Sequence, residues 1–205
     1  MSADRRVSWW SEALEALSHT NLAHLAKAFP HEGLTVCVDL MQTMVRCVCG
    51  QQVSNQVACQ MAQSVLEAAH NDSGHDLAHR LATMQEQELA SCGITRMKAR
   101  AIRSLAIAYL AGEFSTQALQ SLNDELLVKH LTQHPGVGPW TAQMIMIFGL
   151  QRPDVFAVGD YGVKKACARF WPGIAPDELR NLWRPWGSAA MWLLWRSNTP
   201  TPIQY

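Results

Sequence analysis

A carboxylate, Asp160, stands in a short polar loop downstream of a tight Gly-rich turn, Pro135-Gly136-Val137-Gly138-Pro139, and of the apolar run 140–150 that the turn opens. A loop carboxylate can stabilise a cationic transition state, or orient and deprotonate a water. Asp154 lies nearer the run, but its place before Val155-Phe156 reads as a cap or surface residue, which leaves Asp160 as the acid of interest. The turn suits an anion. Gly136 and Gly138 remove the side chains that would keep a phosphate from the backbone amides, at the positive end of a helix dipole. Pro139 fits the first turn of a helix, where its missing N–H is not needed. By turn chemistry alone the same residues also make a tight interhelical connection, and a loop Asp is often only a cap.

The elements that must carry these residues read as helices throughout. Apolar residues recur at helical spacing in nearly every segment, and no segment sustains strand alternation. Trp9, Trp10, Leu14 and Leu17 begin the pattern, and Thr20 or Asn21 is placed to cap the next run, which ends at Pro30. A mostly buried helix follows over 36–52, ending near Gly50, and Ser54 opens the one after it. Thr83 with Glu86 fits a capping box for a helix stopping at Cys92-Gly93. Thr95 opens a longer helix closed by Gly112, and Asn123 caps the helix that runs into the turn. A helix follows Asp160 up to Pro172-Gly173, Pro176 starts another, and Pro185-Trp186-Gly187-Ser188 is a turn before the last. The expectation is an all-α chain of about ten short helices. The polar stretch 69–76 is the expected crossing between helical subdomains at about 36–110 and at 1–35 plus 111–205. The tail 196–205 is expected to fray.

Composition narrows the classes. The 205 residues hold 17 basic and 17 acidic side chains, so a net charge of zero speaks against a surface that is basic all over. A local basic face remains open to Arg96, Lys98, Arg100, Arg103, Lys164, Lys165 and Arg169, as does a plain solvated helix face. No apolar run approaches a membrane span, and residues 1–17 lack the pattern of a secretory signal. The six cysteines show no CxxC pair and no iron–sulfur spacing, so they read as buried free thiols of an intracellular protein rather than disulfides or metal ligands.

The sequence HPGVGPWTAQM, then DVFAVGD, then YGVKK resembles the helix–hairpin–helix DNA glycosylase superfamily. Within it, the chain is most similar to the alkylated-base branch, 3-methyladenine DNA glycosylase II. GQQVS at 50–54, LASCGITRMKARAIRSLA at 89–106 and WRPWGSAAMWLLW at 183–195 agree in order, so the likeness runs from about Val36 to Trp195. The chain departs from the pattern at His134 (often apolar), Ala157 (commonly Pro) and Gly187 (often Arg).

The resemblance implies hydrolysis of the N-glycosidic bond of a flipped-out damaged base, with Asp160 as the catalytic carboxylate that stabilises an oxocarbenium-like sugar. Trp140 and Trp195 match positions lining the family's base pocket, and Met144 stands where a base-stacking aromatic sits in relatives. Trp183, Trp186 and Trp192 read as core. An electron-poor alkylated purine favours electron-rich aromatic faces. Gln52 aligns with the wedge that fills the emptied stack, and Gln51, Ser54, Gly136, Gly138, Thr141 and Lys164 fall at DNA-facing positions. Trp140 replaces the lysine with which strand-cutting relatives form a Schiff base, and no cysteine follows Cys167, so the resemblance implies a monofunctional enzyme. It implies no required cofactor and no structural metal, and admits a monovalent cation on the hairpin carbonyls. The partner is duplex DNA containing a damaged base, met by a monomer in a bacterial cytoplasm, or in a nucleus if the source is eukaryotic. The first matched helix lies near Met1, so the expectation is no N-terminal β-rich domain and a smaller DNA footprint. Mismatched or deaminated bases are the alternative substrates, and a non-catalytic DNA-binding module is the alternative class.

Overall fold

The computed structural model describes residues 5–70, 76–115, 118–119 and 122–199. Its α-helices are α1 (Trp10–Ser18), α2 (Ala23–Ala28), α3 (Leu40–Cys49), α4 (Asn55–Ala69), α5 (Leu77–Thr83), α6 (Glu86–Ala90), α7 (Arg96–Leu110), α8 (Asp124–Leu131), α9 (Pro139–Met144), α10 (Tyr161–Phe170), α11 (Pro176–Arg180) and α12 (Gly187–Arg196). That is twelve helices among the described residues, against about ten expected. Extended pairing is limited there to one isolated bridge, Arg6 with Thr35. The fold is all-α. The polar stretch at 71–75 and the tail from residue 200 lie outside the described residues.

Side-chain caps set most of the boundaries that matter. Asp39, Ser54, Thr95, Asn123 and Asp160 each accept the amide three residues on, satisfying one of the orphan donors of a helix start. Gly93, Gly112 and Gly173 close their segments with positive φ. Three expected caps or boundaries are corrected. Thr83 ends α5, bonding back to the carbonyls of His79 and Arg80, and α6 starts without it. Neither Thr20 nor Asn21 caps α2, because Thr20 folds onto the Leu22 amide and Asn21 accepts from the Trp183 indole. The apolar run after the hairpin is α-helical only to Met144 and then widens into a π-helical turn, Ile145–Gly149.

By packing, the chain divides into residues 39–145 and residues 1–38 with 146–205. Residues 111–145 therefore fall with 39–110, not with the terminal segments as expected from the polar stretch. In the 39–145 group α7 packs on α3, α5 and α6. Ala99, Ala101, Ile102, Leu105 and Ala106 on its inner face are wholly buried. The small residues let neighbouring helices approach, and each large side chain buried contributes about 1.5–3 kcal/mol. In the other group α12 packs on α1, α2 and α10, and every residue from Gly187 to Leu194 is buried. Trp10 meets Trp192 edge to face at 5.2 Å, and Trp183 and Trp192 are core as expected.

Candidate active site

In the group formed by residues 1–38 and 146–205, one face of α12 holds the loop that ends at Asp160. Positions 187/188, 191 and 195 recur at helical spacing, so they line up along that face. The Gly187 amide donates to Asp154 Oδ1 (3.2 Å). Ser188 Oγ donates to the Arg152 carbonyl (2.6 Å) and accepts from the Val155 amide (3.1 Å). The Ala157 amide lies 3.0 Å from Met191 Sδ. One turn on, Trp195 Nε1–H donates to Asp160 Oδ1 at 2.8 Å. The loop is thus fastened turn by turn to a buried helix.

Asp160 is 7% exposed and caps α10, its Oδ1 accepting the Val163 amide at 2.8 Å. Two N–H donors therefore converge on one carboxylate oxygen, which fixes the group's orientation and complements its charge. Gly162 permits this. A Cβ there would lie 2.8 Å from Trp195 Cδ1 and 3.2 Å from Asp160 Oδ1, so any larger residue would push the indole off the acid. The indole is also stacked on Phe148, centroids 5.6 Å apart and planes within 20°. Asp154, the competing acid, is committed elsewhere: it accepts from Gly187 and pairs with Arg184 at 3.1 Å. Gly187, one of the departures from the family pattern, sits where a Cβ would meet Asp154 Oδ1 and the Val155 carbonyl, both at 3.0 Å.

In the 39–145 group, α8, the turn and α9 form a helix–hairpin–helix. The Val137 amide donates to the His134 carbonyl and the Ala142 amide to that of Gly138, both at 3.0 Å. The two glycines do different work. Gly136 has φ +79°, and its missing Cβ would press on the Met97 carbonyl (3.0 Å) and Ala101 Cβ (3.1 Å) of α7. Gly138 has ordinary φ, and a Cβ there would meet nothing within 4 Å. Gly136 is thus set by conformation and packing, whereas the turn is open on the side of Gly138.

Gln51, half-buried, braces this turn. Its Nε2 donates to the Gly136 carbonyl (2.9 Å) and to Thr141 Oγ1 (2.8 Å). Thr141 is 2% exposed and Met144 1% exposed, so neither presents a side chain to solvent. Gln52 is exposed with φ +55°, a left-handed backbone rare outside glycine, two residues before the exposed Ser54 cap of α4. Trp140 is half-buried in the first turn of α9. Lys164 is exposed on α10, whereas Lys98 is 6% exposed and donates to the Cys49 carbonyl at the end of α3. Burial lowers the Lys98 pKa, and it leaves the expected basic face.

Sequence reasoning missed Ser188, Met191 and Gly162 as supports of Asp160. The signal lay in their 3–4 residue spacing on the last helix and in a glycine inside a helix's first turn. It also missed Tyr161, an aromatic 80% exposed beside the acid.

A family model described as HhH-GPD superfamily base excision DNA repair protein matches residues 45–188, spanning the hairpin, Asp160 and the start of α12. DNA-3-methyladenine glycosylase 2 of Escherichia coli is 32% identical over 185 residues, covering 85% of this chain. The chain spans 63% of that relative's length. DNA-3-methyladenine glycosylase 1 of Schizosaccharomyces pombe is 26% identical over 165 residues, covering 77% of this chain and 72% of its own. Among solved structures, the Schizosaccharomyces pombe 3-methyladenine DNA glycosylase in complex with abasic DNA superposes with a TM-score of 0.76 at 22% identity, covering 94% of this chain and all of that one. With the hairpin and the clamped acid both inside the matched segment, the chain belongs to the HhH-GPD superfamily of base excision DNA repair proteins.

Proposed function

We propose that this protein is a monofunctional DNA glycosylase that hydrolyses the N-glycosidic bond of alkylated purines such as 3-methyladenine, leaving an abasic site. The observation that carries the reading is Asp160, a buried carboxylate inside the segment matched by the family model, whose one oxygen is pinned by two N–H donors. Leaving-group departure builds positive charge on the sugar, and a preorganised carboxylate stabilises it without reorganising. The same group accepts a proton from the attacking water. A purine alkylated at N3 is already cationic and leaves readily, so one acid suffices. The names of the relatives support this substrate class.

DNA is held through its backbone by the hairpin, whose open side at Gly138 admits a phosphate. The exposed, left-handed Gln52 enters the emptied stack, and Trp140, half-buried in α9, offers a ring face to the extruded base. Trp195 acts chiefly as the positioning donor to Asp160. Trp140 supplies no amine nucleophile, so the product retains an intact strand. A monovalent cation would be held by the hairpin's carbonyls, of which those of His134, Gly136 and Gly138 each accept a hydrogen bond and keep a second lone pair.

The test is release of 3-methyladenine from methylated duplex DNA by wild type and by Asp160→Asn, with a panel of single-lesion duplexes alongside. Wild type is expected to release the alkylated base without strand cleavage, and the variant to lose at least about a hundredfold in rate. Equal release by both proteins removes Asp160 from the mechanism. Faster excision of a deaminated or mismatched base overturns the substrate assignment.

A further inference from the structure

Away from Asp160, three ligating side chains converge in the 39–145 group. Glu113 lies just past Gly112 at the end of α7, His130 is in the last turn of α8, and His134 leads into the hairpin. One ligating atom from each lies within 4.8 Å of the other two. The His130 and His134 rings stand at 87° with centroids 6.2 Å apart, and both flank Phe114, at 6.0 and 5.9 Å. His130 Nε2 is 3.6 Å from Glu113 Oε2, too long for a hydrogen bond. Two ligands each about 2.0 Å from one tetrahedral ion stand roughly 3.3 Å apart, so the His130–Glu113 pair at 3.6 Å is already near that spacing and the remaining pairs, within 4.8 Å, would draw in around the ion.

His130 Nε2 and His134 Nε2 are both buried, and neither has a hydrogen-bond partner among the described residues. Two orphaned polar nitrogens beside a carboxylate are expensive to bury with nothing between them. The other nitrogen of His134 is occupied. Its Nδ1 is 3.1 Å from Ser104 Oγ, and with the proton on Nδ1 the lone pair is on Nε2. A metal-ligating histidine is oriented in this way by a partner on its second nitrogen. The resemblance leads one to expect an apolar residue at position 134. Two imidazoles and a carboxylate suit zinc-class ions, whereas magnesium and calcium prefer oxygen alone.

We propose that Glu113, His130 and His134 bind one divalent transition-metal ion of the zinc class, three protein ligands leaving one position for solvent. The ion would join the end of α7 to the segment between α8 and Pro135, bracing the start of the hairpin whose Gly136 carbonyl Gln51 holds. This site makes no use of Asp160 and stands independently of the reaction proposed above.

The test uses the full chain, reduced and stripped of metal, titrated with Zn²⁺ by calorimetry and with Co²⁺ by visible absorption. Expected are one equivalent bound, Co²⁺ d–d bands without the near-ultraviolet thiolate band, and a Zn²⁺-dependent rise in melting temperature. Glu113→Gln and His130→Gln should each abolish stoichiometric binding, and Ser104→Ala should weaken it roughly tenfold. Glu113 is exposed, so its variant keeps the fold even if the His130 variant does not. Absence of saturable binding, a thiolate band from the cysteines, or full retention in Glu113→Gln overturns the site.

Discussion

Asp160 owes its definition to neighbours that are not beside it in sequence. The Val163 amide is local and is what any capping Asp would find, but the second donor, the Trp195 indole, arrives from the last helix. That contact separates a poised acid from an ordinary cap. Trp195→Phe keeps a ring to stack on Phe148 and removes only the donor. A hydrogen bond to a charged group contributes about 1.5–3 kcal/mol, so excision should slow by roughly one to two orders of magnitude and the melting temperature should fall by several degrees. Unchanged single-turnover rates would assign the bond to packing alone. Gly162→Ala should slow excision as well, because the added methyl sits 2.8 Å from the indole. A Gly162→Ala enzyme with wild-type rates would show that the indole can shift without moving the acid.

At the scale of elements, the hairpin is a turn braced from both sides. Gly136 needs its positive φ and its lack of a side chain against α7, while Gln51 ties the turn's carbonyl to Thr141. Left-handed backbone costs a non-glycine residue about 1–2 kcal/mol, before any clash with the Met97 carbonyl. Gly136→Ala should therefore destabilise by at least that amount in urea unfolding, whereas Gly138→Ala should leave stability nearly unchanged and weaken DNA binding. Equal effects of the two on stability would contradict their separate roles. Gln51→Leu leaves a buried threonine hydroxyl and a carbonyl with fewer partners, a loss of about 1–3 kcal/mol. The π-helical turn after α9 had no sequence signature. Its apolar residues satisfy a helix of either pitch, and only the packing selects the wider one.

For the whole molecule, charge and thiols carry the testable content. With 17 residues of each sign, binding to DNA cannot draw on a large net field. The logarithm of affinity is expected to fall with log salt at a slope no steeper than roughly −3, corresponding to about three phosphates. A much steeper slope would mean that exposed basic residues such as Arg96 and Lys164 dominate. Among the cysteines, burial pushes the Cys49 thiol up to about 12 and that of Cys167 up to about 11, and Cys47 is fully buried. Cys59 is exposed. A thiol reagent should therefore label Cys59 quickly in the native protein and reach Cys47, Cys49 and Cys167 only in denaturant.

The chain alone determined what depends on local chemistry. Helical periodicity gives the all-α class, and short-range hydrogen bonding places the caps at Ser54, Thr95 and Asn123. The ordered motifs from Gly50 to Trp195 carry the family, because their residue types and spacing survive without any fold in view. Tertiary structure decided which candidate side chains look outward. Gln51 and Lys98 are tied to backbone carbonyls and Thr141 and Met144 are buried, whereas Gln52 and Lys164 are exposed. It alone aligned Ser188, Met191 and Trp195 beneath the acid's loop and gathered Glu113 with two histidines. Partners that lie some 30 residues apart meet only when helices pack, and packing sums many small contacts that no single motif records.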